Sequence, residues 1–223
     1  VLEAKTATNV NKHHGEQYDS PAEKRVYYFE DQRSYHTLKT GWVHDEGHWY
    51  YLQKDGGFDS RINRLTVGEL ARGWVKDFPL TYDEDKLKAA PWYYLDPTTA
   101  AMQTGWQYLG NKWYYLRSSG AMATGWYQEG STWYYLDDQN GDMMTGWTSI
   151  NGDWYYLRSS GAMATGWLQD GSTWYYLNAS NGDMKTGWFQ VNGKWYYAYS
   201  SGALAVNTTV GGYYVNYNGE WVQ

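Results

Sequence analysis

The chain contains no cysteine, which excludes both a disulfide framework and a thiolate metal site. Leucine, isoleucine and valine are sparse and phenylalanine occurs only 4 times, so an ordinary aliphatic core is not on offer. No apolar run approaches the ~18 residues that cross a bilayer. Positive charge is short as well: the formal net charge is −6, and between Gly105 and Leu204 five basic residues (Lys112, Arg117, Arg158, Lys185, Lys194) stand against seven acidic ones. A phosphate-tracking surface needs a basic stripe, so nucleic acid, including bases stacked on exposed rings, is disfavoured as a partner. The first residue is Val1 and no signal-peptide pattern follows it, which reads as a mature or truncated chain.

What fills the gap is aromatic. The 223 residues include 15 Trp and 25 Tyr, with 25 Gly, so rings must carry most of the apolar burial. They are periodic. Gly-Trp pairs fall at Gly105-Trp106, Gly125-Trp126, Gly146-Trp147, Gly166-Trp167 and Gly187-Trp188, in alternating steps of 20 and 21. Seven residues after each tryptophan a Trp-Tyr-Tyr triplet begins, at Trp113, Trp133, Trp154, Trp174 and Trp195. A Gly/Ser/Asn turn follows, and then Met122, Met143, Met163, Met184 or Leu204. A fixed period near 20 marks a solenoid with one supersecondary unit per repeat.

The unit is a β-hairpin. Between the two tryptophans of each repeat lie Gly110-Asn111, Glu129-Gly130, Asn151-Gly152, Asp170-Gly171 and Asn192-Gly193, and Asn-Gly or Asp-Gly between apolar runs is a strong hairpin signal. With Asn151-Gly152 as the turn, Trp147 faces Tyr156 and Ser149 faces Trp154. With Asp170-Gly171 as the turn, Trp167 faces Trp174 with Tyr176 beside them. Both registers put the two tryptophans and the second tyrosine on one face, and the first tyrosine and leucine on the other. An isolated hairpin is marginal in water, so the units must stack.

The tryptophans and tyrosines could be no more than a thin core. The pairing of two tryptophans with a soft methionine, with little aliphatic filler, points instead to an electron-rich cleft between neighbouring hairpins. Such a cleft suits a quaternary ammonium, which ring faces attract by roughly 0.5–2 kcal/mol each. Three rings give a site near ~1 mM, and a row of sites on a polymeric ligand gains ~10²–10⁴ in avidity.

At these residues the unit "TGWxxxxxxWYYLxxxGAM", as in Thr104 to Met122 or Thr145 to Met163, resembles the choline-binding repeat of pneumococcal choline-binding surface proteins and related cell-wall hydrolases. The resemblance covers residues 104 to about 206, and "GYYVNYNGEWVQ" (212–223) looks like that family's C-terminal cap. It implies an all-β solenoid of stacked hairpins, with a choline held between successive hairpins by the two tryptophans of one repeat, the second tyrosine of the next, and a methionine. Carried over, the cages are Trp106, Trp113 and Tyr135 with Met122; Trp126, Trp133 and Tyr156 with Met143; Trp147, Trp154 and Tyr176 with Met163; and Trp167, Trp174 and Tyr197 with Met184. A fifth cage would use Trp188, Trp195 and Leu204, its third wall open because Gly212-Tyr213-Tyr214 stands where a triplet would be.

Upstream the pattern loosens. "RVYYFEDQRSYHTLKTGW" (25–42) carries a triplet with Val26 in the Trp position, and Trp42 and Trp49 keep the seven-residue spacing. The connector 53–74 is long, and 76–91 separates Trp74 from Trp92, where a cage from Trp74, Trp92, Tyr115 and Met102 is conceivable. The organisation read from this is a tail at 1–24, irregular repeats at 25–103, regular repeats at 104–206 and a cap at 207–223. The irregular half is expected to form a partner-specific surface while the regular half anchors.

Catalytic and metal readings are weak. Asp83, Glu84 and Asp85 are adjacent acids on an inserted segment, whereas glycosidases need two carboxylates ~5–9.5 Å apart across a cleft. His44 and His48 lie in a hairpin pattern, not on a zinc-binding helix. "DQNGDM" (138–143) lacks the ligand order of a calcium loop. No catalytic residue, metal or cofactor is therefore expected; choline is a ligand. The resemblance implies an extracellular protein of a Gram-positive cell wall that binds choline on teichoic and lipoteichoic acids, with further roles in adhesion or in modulating wall hydrolases, and with host or hydrolase partners. Two other readings stay open: a glucan-binding repeat of the kind attached to glucosyltransferases, and the wall-binding tail of a longer hydrolase.

Overall fold

The structure is a computed structural model, and it describes residues 40–54, 70–79 and 83–222 together with the backbone of 5–6 and 26–27. Of the triplet in segment 25–42 only the backbone of 26–27 is described, and most of the 53–74 connector lies outside the described residues. The chain divides into two compact units, one of residues 1–107 and 115–122, the other of residues 108–114 and 123–223.

The first unit holds β1 (Lys5–Thr6), β2 (Val26–Tyr27), β3 (Gly41–Asp45), β4 (His48–Leu52), β5 (Gly73–Lys76), α1 (Glu84–Lys88) and β6 (Trp92–Leu95). Strands β7 (Gly105–Leu109) and β8 (Lys112–Leu116) follow. The second unit continues with β9 (Gly125–Glu129), β10 (Thr132–Leu136), β11 (Gly146–Ile150), β12 (Asp153–Leu157), β13 (Gly166–Asp170), β14 (Thr173–Leu177), β15 (Gly187–Val191), β16 (Lys194–Ala198), β17 (Thr208–Val210) and β18 (Tyr213–Val215). Among the described residues every sheet is a pair of consecutive strands, so the architecture is all-β and built of hairpins, as expected.

Turn chemistry sets the registers. Asn151 and Gly152 both have positive φ, 53° and 96°, the signature of a type I′ turn. Trp147 accordingly pairs with Tyr156 and Ser149 with Trp154. The expected Asp170-Gly171 turn is corrected: Asp170 remains in β13 and pairs with Thr173, so the turn is Gly171-Ser172 and Trp167 faces Tyr176, not Trp174. Gly171 alone takes positive φ, 60°, as a type II′ turn requires at its first central residue. The same holds for Gly130-Ser131 in place of Glu129-Gly130, with Glu129 paired to Thr132. Alternation of the two turn types restores one register in every hairpin.

The irregular hairpin obeys it too. Trp74 pairs with Tyr94 and Lys76 with Trp92, so the segment between Lys76 and Trp92 replaces a turn without disturbing the strands. Asp83 caps α1, its Oδ1 accepting from the amides of Asp85 and Lys86 at 3.1 and 3.3 Å. Glu84 and Asp85 occupy its first turn, where acidic side chains offset the helix dipole. The acidic cluster thus has a local structural role.

Stacking is carried by leucine and methionine. Leu95, Leu116, Leu136, Leu157 and Leu177 are fully buried, each worth roughly 1.5–3 kcal/mol of burial. The methionine after each hairpin bridges back to its leucine, as Met143 to Leu136 and Met163 to Leu157. Its amide then donates to the previous hairpin's triplet tryptophan: Met143 to Trp113, Met163 to Trp133 and Met184 to Trp154, all at 2.8 Å. Gly161 has φ +82° and lies so close over the Met143 thioether that a Cβ would overlap it, which makes glycine necessary at that point in the connector.

Candidate functional site

From β9–β10 to β13–β14 each hairpin presents two tryptophans on one face and its first tyrosine and leucine on the other, and within the second unit the tryptophan face of one hairpin meets the first-tyrosine face of the next. Between hairpins β9–β10 and β11–β12, Trp126 and Trp133 stand edge to face, with centroids 6.3 Å apart and planes at 86°. From the following hairpin Tyr155 closes on Trp126 at 4.9 Å. Met163 packs into the same cluster and is tied by its amide to the Trp133 carbonyl. Between β13–β14 and β15–β16, Trp167 and Trp174 are 6.4 Å apart at 84°, Tyr196 is 4.8 Å from Trp167, and Leu204 takes the methionine place, its amide donating to the Trp174 carbonyl. In the cleft of Trp147 and Trp154, Tyr175 lies 4.7 Å from Trp147 and the Met184 amide donates to Trp154.

These contacts correct the predicted cages in two ways. The facing ring from the next hairpin is the first tyrosine of the triplet, not the second. Tyr135, Tyr156, Tyr176 and Tyr197 instead meet Trp126, Trp147, Trp167 and Trp188 within their own hairpins, at 5.0–5.2 Å. Strand alternation is the reason, since the second tyrosine shares the tryptophan face. The methionines also serve one cleft earlier than expected. Met143 belongs with Trp113, Met163 with Trp133, Met184 with Trp154 and Leu204 with Trp174, while Met122 donates to Trp92 and Met102 to Trp49. The first quartet is divided, with Trp106 and Met122 in the first unit and Trp113 and Tyr135 in the second.

The C-terminal cleft is a defined cavity of about 260 Å³ lined by Trp188, Trp195, Tyr213 and Trp221. Tyr213, the first tyrosine of Gly-Tyr-Tyr, supplies the wall that the sequence left open, 5.8 Å from Trp188 at 84°. Trp221 bridges to Val215 and donates its amide to Trp195, which is the methionine position in every respect; its ring lies 5.9 Å from Tyr213. Leu204 is thereby displaced from this cage. Tyr213 meets both Trp188 and Trp221 near right angles, at 84° and 82°, and an aromatic lining of this kind suits a cation that donates no hydrogen bond.

A further cleft lies in the first unit. Trp42 packs at 4.6 Å on Tyr93, Met102 joins the same cluster, and the Met102 amide donates to Trp49. The Trp42/Trp49 spacing signalled the hairpin, but its partner Tyr93 lies beyond a long connector, so no sequence window joined them. The conceivable Trp74/Trp92/Tyr115/Met102 cage loses Met102 to this cleft.

The outer tryptophan of each cleft keeps an open side: Trp133, Trp154, Trp174 and Trp195 are 39–46% exposed. Carboxylates fix some inner rings. Trp147 Nε1 donates to Asp170 at 3.0 Å, and Trp42 Nε1 to Asp77 at 3.0 Å. Tyr135 donates its hydroxyl to Asp138 at 2.5 Å; burial first, and then that carboxylate, push its phenol up to about 12. In "DQNGDM", Asp142 forms an ion pair with Lys112 at 2.6 Å, a structural use of the loop. His44 rests against Trp49 with ring centroids 4.9 Å apart.

Comparison with known proteins shows the family. A choline-binding repeat model matches residues 103–145 and 144–187, and a cell wall binding repeat model matches residues 40–58 and 186–204. The fold superposes on choline binding protein F of Streptococcus pneumoniae, crystallised in the presence of a peptidoglycan analogue, with 60% identity, TM-score 0.82, and coverage of 100% of this chain and 70% of that one. It also matches CbpJ of Streptococcus pneumoniae with 60% identity, TM-score 0.78, and coverage of 99% and 70%. The modular autolysin LytC of the same organism, in complex with a synthetic peptidoglycan ligand, matches at 29% identity and TM-score 0.57 over 88% of this chain and 40% of that one. No match was found among the curated proteins.

Proposed function

Because the chain belongs to the family of choline-binding repeat proteins, and its repeats make it a wall-associated protein of the cell surface, we propose that it is a non-catalytic attachment protein whose clefts hold the choline of teichoic and lipoteichoic acids. The observation that carries this reading is the C-terminal cavity of Trp188, Trp195, Tyr213 and Trp221. Its aromatic lining attracts a trimethylammonium group through the ring faces, whereas a sugar needs polar side chains converging beside a stacking ring.

Each cleft alone is weak, near ~1 mM. Repetition along the chain faces repetition along the polymer, and avidity of ~10²–10⁴ supplies firm attachment. The protein's place at the wall also gives a means of modulating choline-binding wall hydrolases, through competition for the same choline groups. Titration of tryptophan fluorescence tests the ligand class. Free choline should quench saturably in the millimolar range and should release the protein from choline-bearing walls, while glucan oligomers should do neither. Saturable quenching by glucan, with none by choline, would replace this reading with a glucan-binding one.

A further inference from the structure

One tryptophan pair differs from the rest by carrying a cation of the chain's own. Lys76 Nζ lies 5.7 Å from the Trp92 ring centroid and 5.4 Å from that of Phe78, and it donates to the Lys88 carbonyl at 3.1 Å. Lys76 and Trp92 are cross-strand partners, so the lysine stem rises from the same hairpin face as Trp74 and Trp92, whose rings meet edge to face at 6.5 Å and 87°. The equivalent partners in the regular hairpins are neutral: Gln128 opposite Trp133, Ser149 opposite Trp154, Gln169 opposite Trp174 and Gln190 opposite Trp195. Among the described residues no ammonium stands over those four tryptophans.

The inserted segment is what holds Lys76 in place. It supplies the Phe78 ring on one side and the Lys88 carbonyl on the other, and both engage the charged tip. Lys54 in the neighbouring hairpin is bound differently, being paired with Asp77 at 2.6 Å. Among the described residues no carboxylate pairs with Lys76, and its ammonium lies over the Phe78 and Trp92 rings.

We propose that Lys76 is a specificity-determining residue that closes the Trp74/Trp92 pair to choline. The inference rests on the reading that the other clefts hold choline. A tethered ammonium acts at an effective concentration of mM or above, which equals or exceeds what a ligand binding near ~1 mM experiences at half-saturation. Two cations also repel when they share one ring face, a cost that grows as water is excluded. The β5–β6 hairpin thus keeps the repeat's architecture while competition from the tethered ammonium weakens choline at its tryptophan pair by at least ~2-fold, and repulsion between the two cations adds to this.

The test is indole ¹⁵N–¹H NMR of the full chain during choline titration, with the Trp92 signal identified from Trp92→Phe and the Trp133 signal from Trp133→Phe. In the parent, Trp133 should shift with choline and Trp92 should stay still. In Lys76→Gln, which matches the regular hairpins, both should shift over the same concentration range. Lys76→Arg keeps the charge and should leave Trp92 silent, while Lys76→Met, with the stem length kept and the charge removed, gives an independent second reading. A parent Trp92 that shifts together with Trp133, or a Trp92 that stays silent in both uncharged variants while Trp133 still responds, overturns the role of Lys76 and leaves the choline reading intact. No choline response at any indole overturns the choline reading, and the inference with it.

Discussion

The amide of Trp221 donates to the carbonyl of Trp195 at 2.8 Å, the same bond that Met163 makes to Trp133 and Met184 to Trp154. Trp221 therefore stands where the methionine stands in the regular repeats, and it completes the Trp188/Trp195 cleft. Trp221→Ala should weaken choline at that cleft by ~10-fold, the loss of one ring contact of roughly 1–1.5 kcal/mol. Trp221→Met should retain most of the binding. Choline stoichiometry from calorimetry checks this: the alanine variant should lose one site and the methionine variant none.

The choice between the two tyrosines of the triplet can be tested directly. Tyr155 faces Trp126 across the cleft, whereas Tyr156 faces Trp147 in its own hairpin. Tyr155→Leu should weaken choline at the Trp126/Trp133 cleft by roughly 5- to 10-fold, and Tyr156→Leu should leave that cleft unchanged. Indole NMR of Trp133 during titration separates the two outcomes.

Much of this was legible in the sequence, and the gaps have physical causes. The Asn151-Gly152 dipeptide fixes the Trp147/Tyr156 register because both turn residues need positive φ. Asp170-Gly171 misled because the glycine is the first residue of a II′ turn, and Ser172, which carries no turn signal of its own, is the second. The alternation that sends Tyr155 away from Trp154 was visible too, and it already implied that Tyr155, not Tyr156, meets the preceding hairpin. The shift of the methionines by one cleft was not visible, since it depends on amide bonds that skip from Met163 over a whole hairpin to Trp133. Trp221 was hidden for the same reason, because its amide bond to Trp195 skips over a hairpin.

Two ion pairs of the second unit have lysines at equivalent repeat positions, and Lys185 pairs locally with Asp183 at 3.5 Å. Lys112 meets Asp142 and Lys194 meets Glu220, each at 2.6 Å. Asp153 occupies the equivalent position between them; burial first, and then Asp153 and Asp183, push the half-buried Tyr155 phenol up. One Asp183 carboxylate oxygen is buried without a hydrogen-bond partner. Asp153→Lys should restore the pair and raise Tm by about 1–3 °C, the scale of a surface ion pair of ~0.2–1 kcal/mol in a chain of this size. Scanning calorimetry at low and at high salt checks it, and the gain should shrink at high salt.

Alkaline pH should unfold the protein from pH 10 upward. Burial raises the phenols of Tyr135, Tyr155 and Tyr196 above the usual tyrosine value of 10.0, with Asp138 adding to the effect at Tyr135. The folded state holds these protons more tightly than the unfolded chain does. The associated stability is therefore full below pH 10 and is lost as pH climbs towards the folded value, about 12 for Tyr135. Tm measured between pH 9 and 12 should fall steadily, and less steeply in Tyr135→Phe; equal slopes in variant and parent would remove Tyr135 from the account.

The central claim is that choline sits between the tryptophans of one hairpin and the first tyrosine of the next. A crystal structure of the chain grown with choline tests it most directly. The account predicts a trimethylammonium group enclosed by Trp188, Trp195, Tyr213 and Trp221, and others between Trp126, Trp133, Tyr155 and Met163 and in the clefts that follow. Choline bound elsewhere on the surface, with these clefts closed by their own side chains, would contradict it.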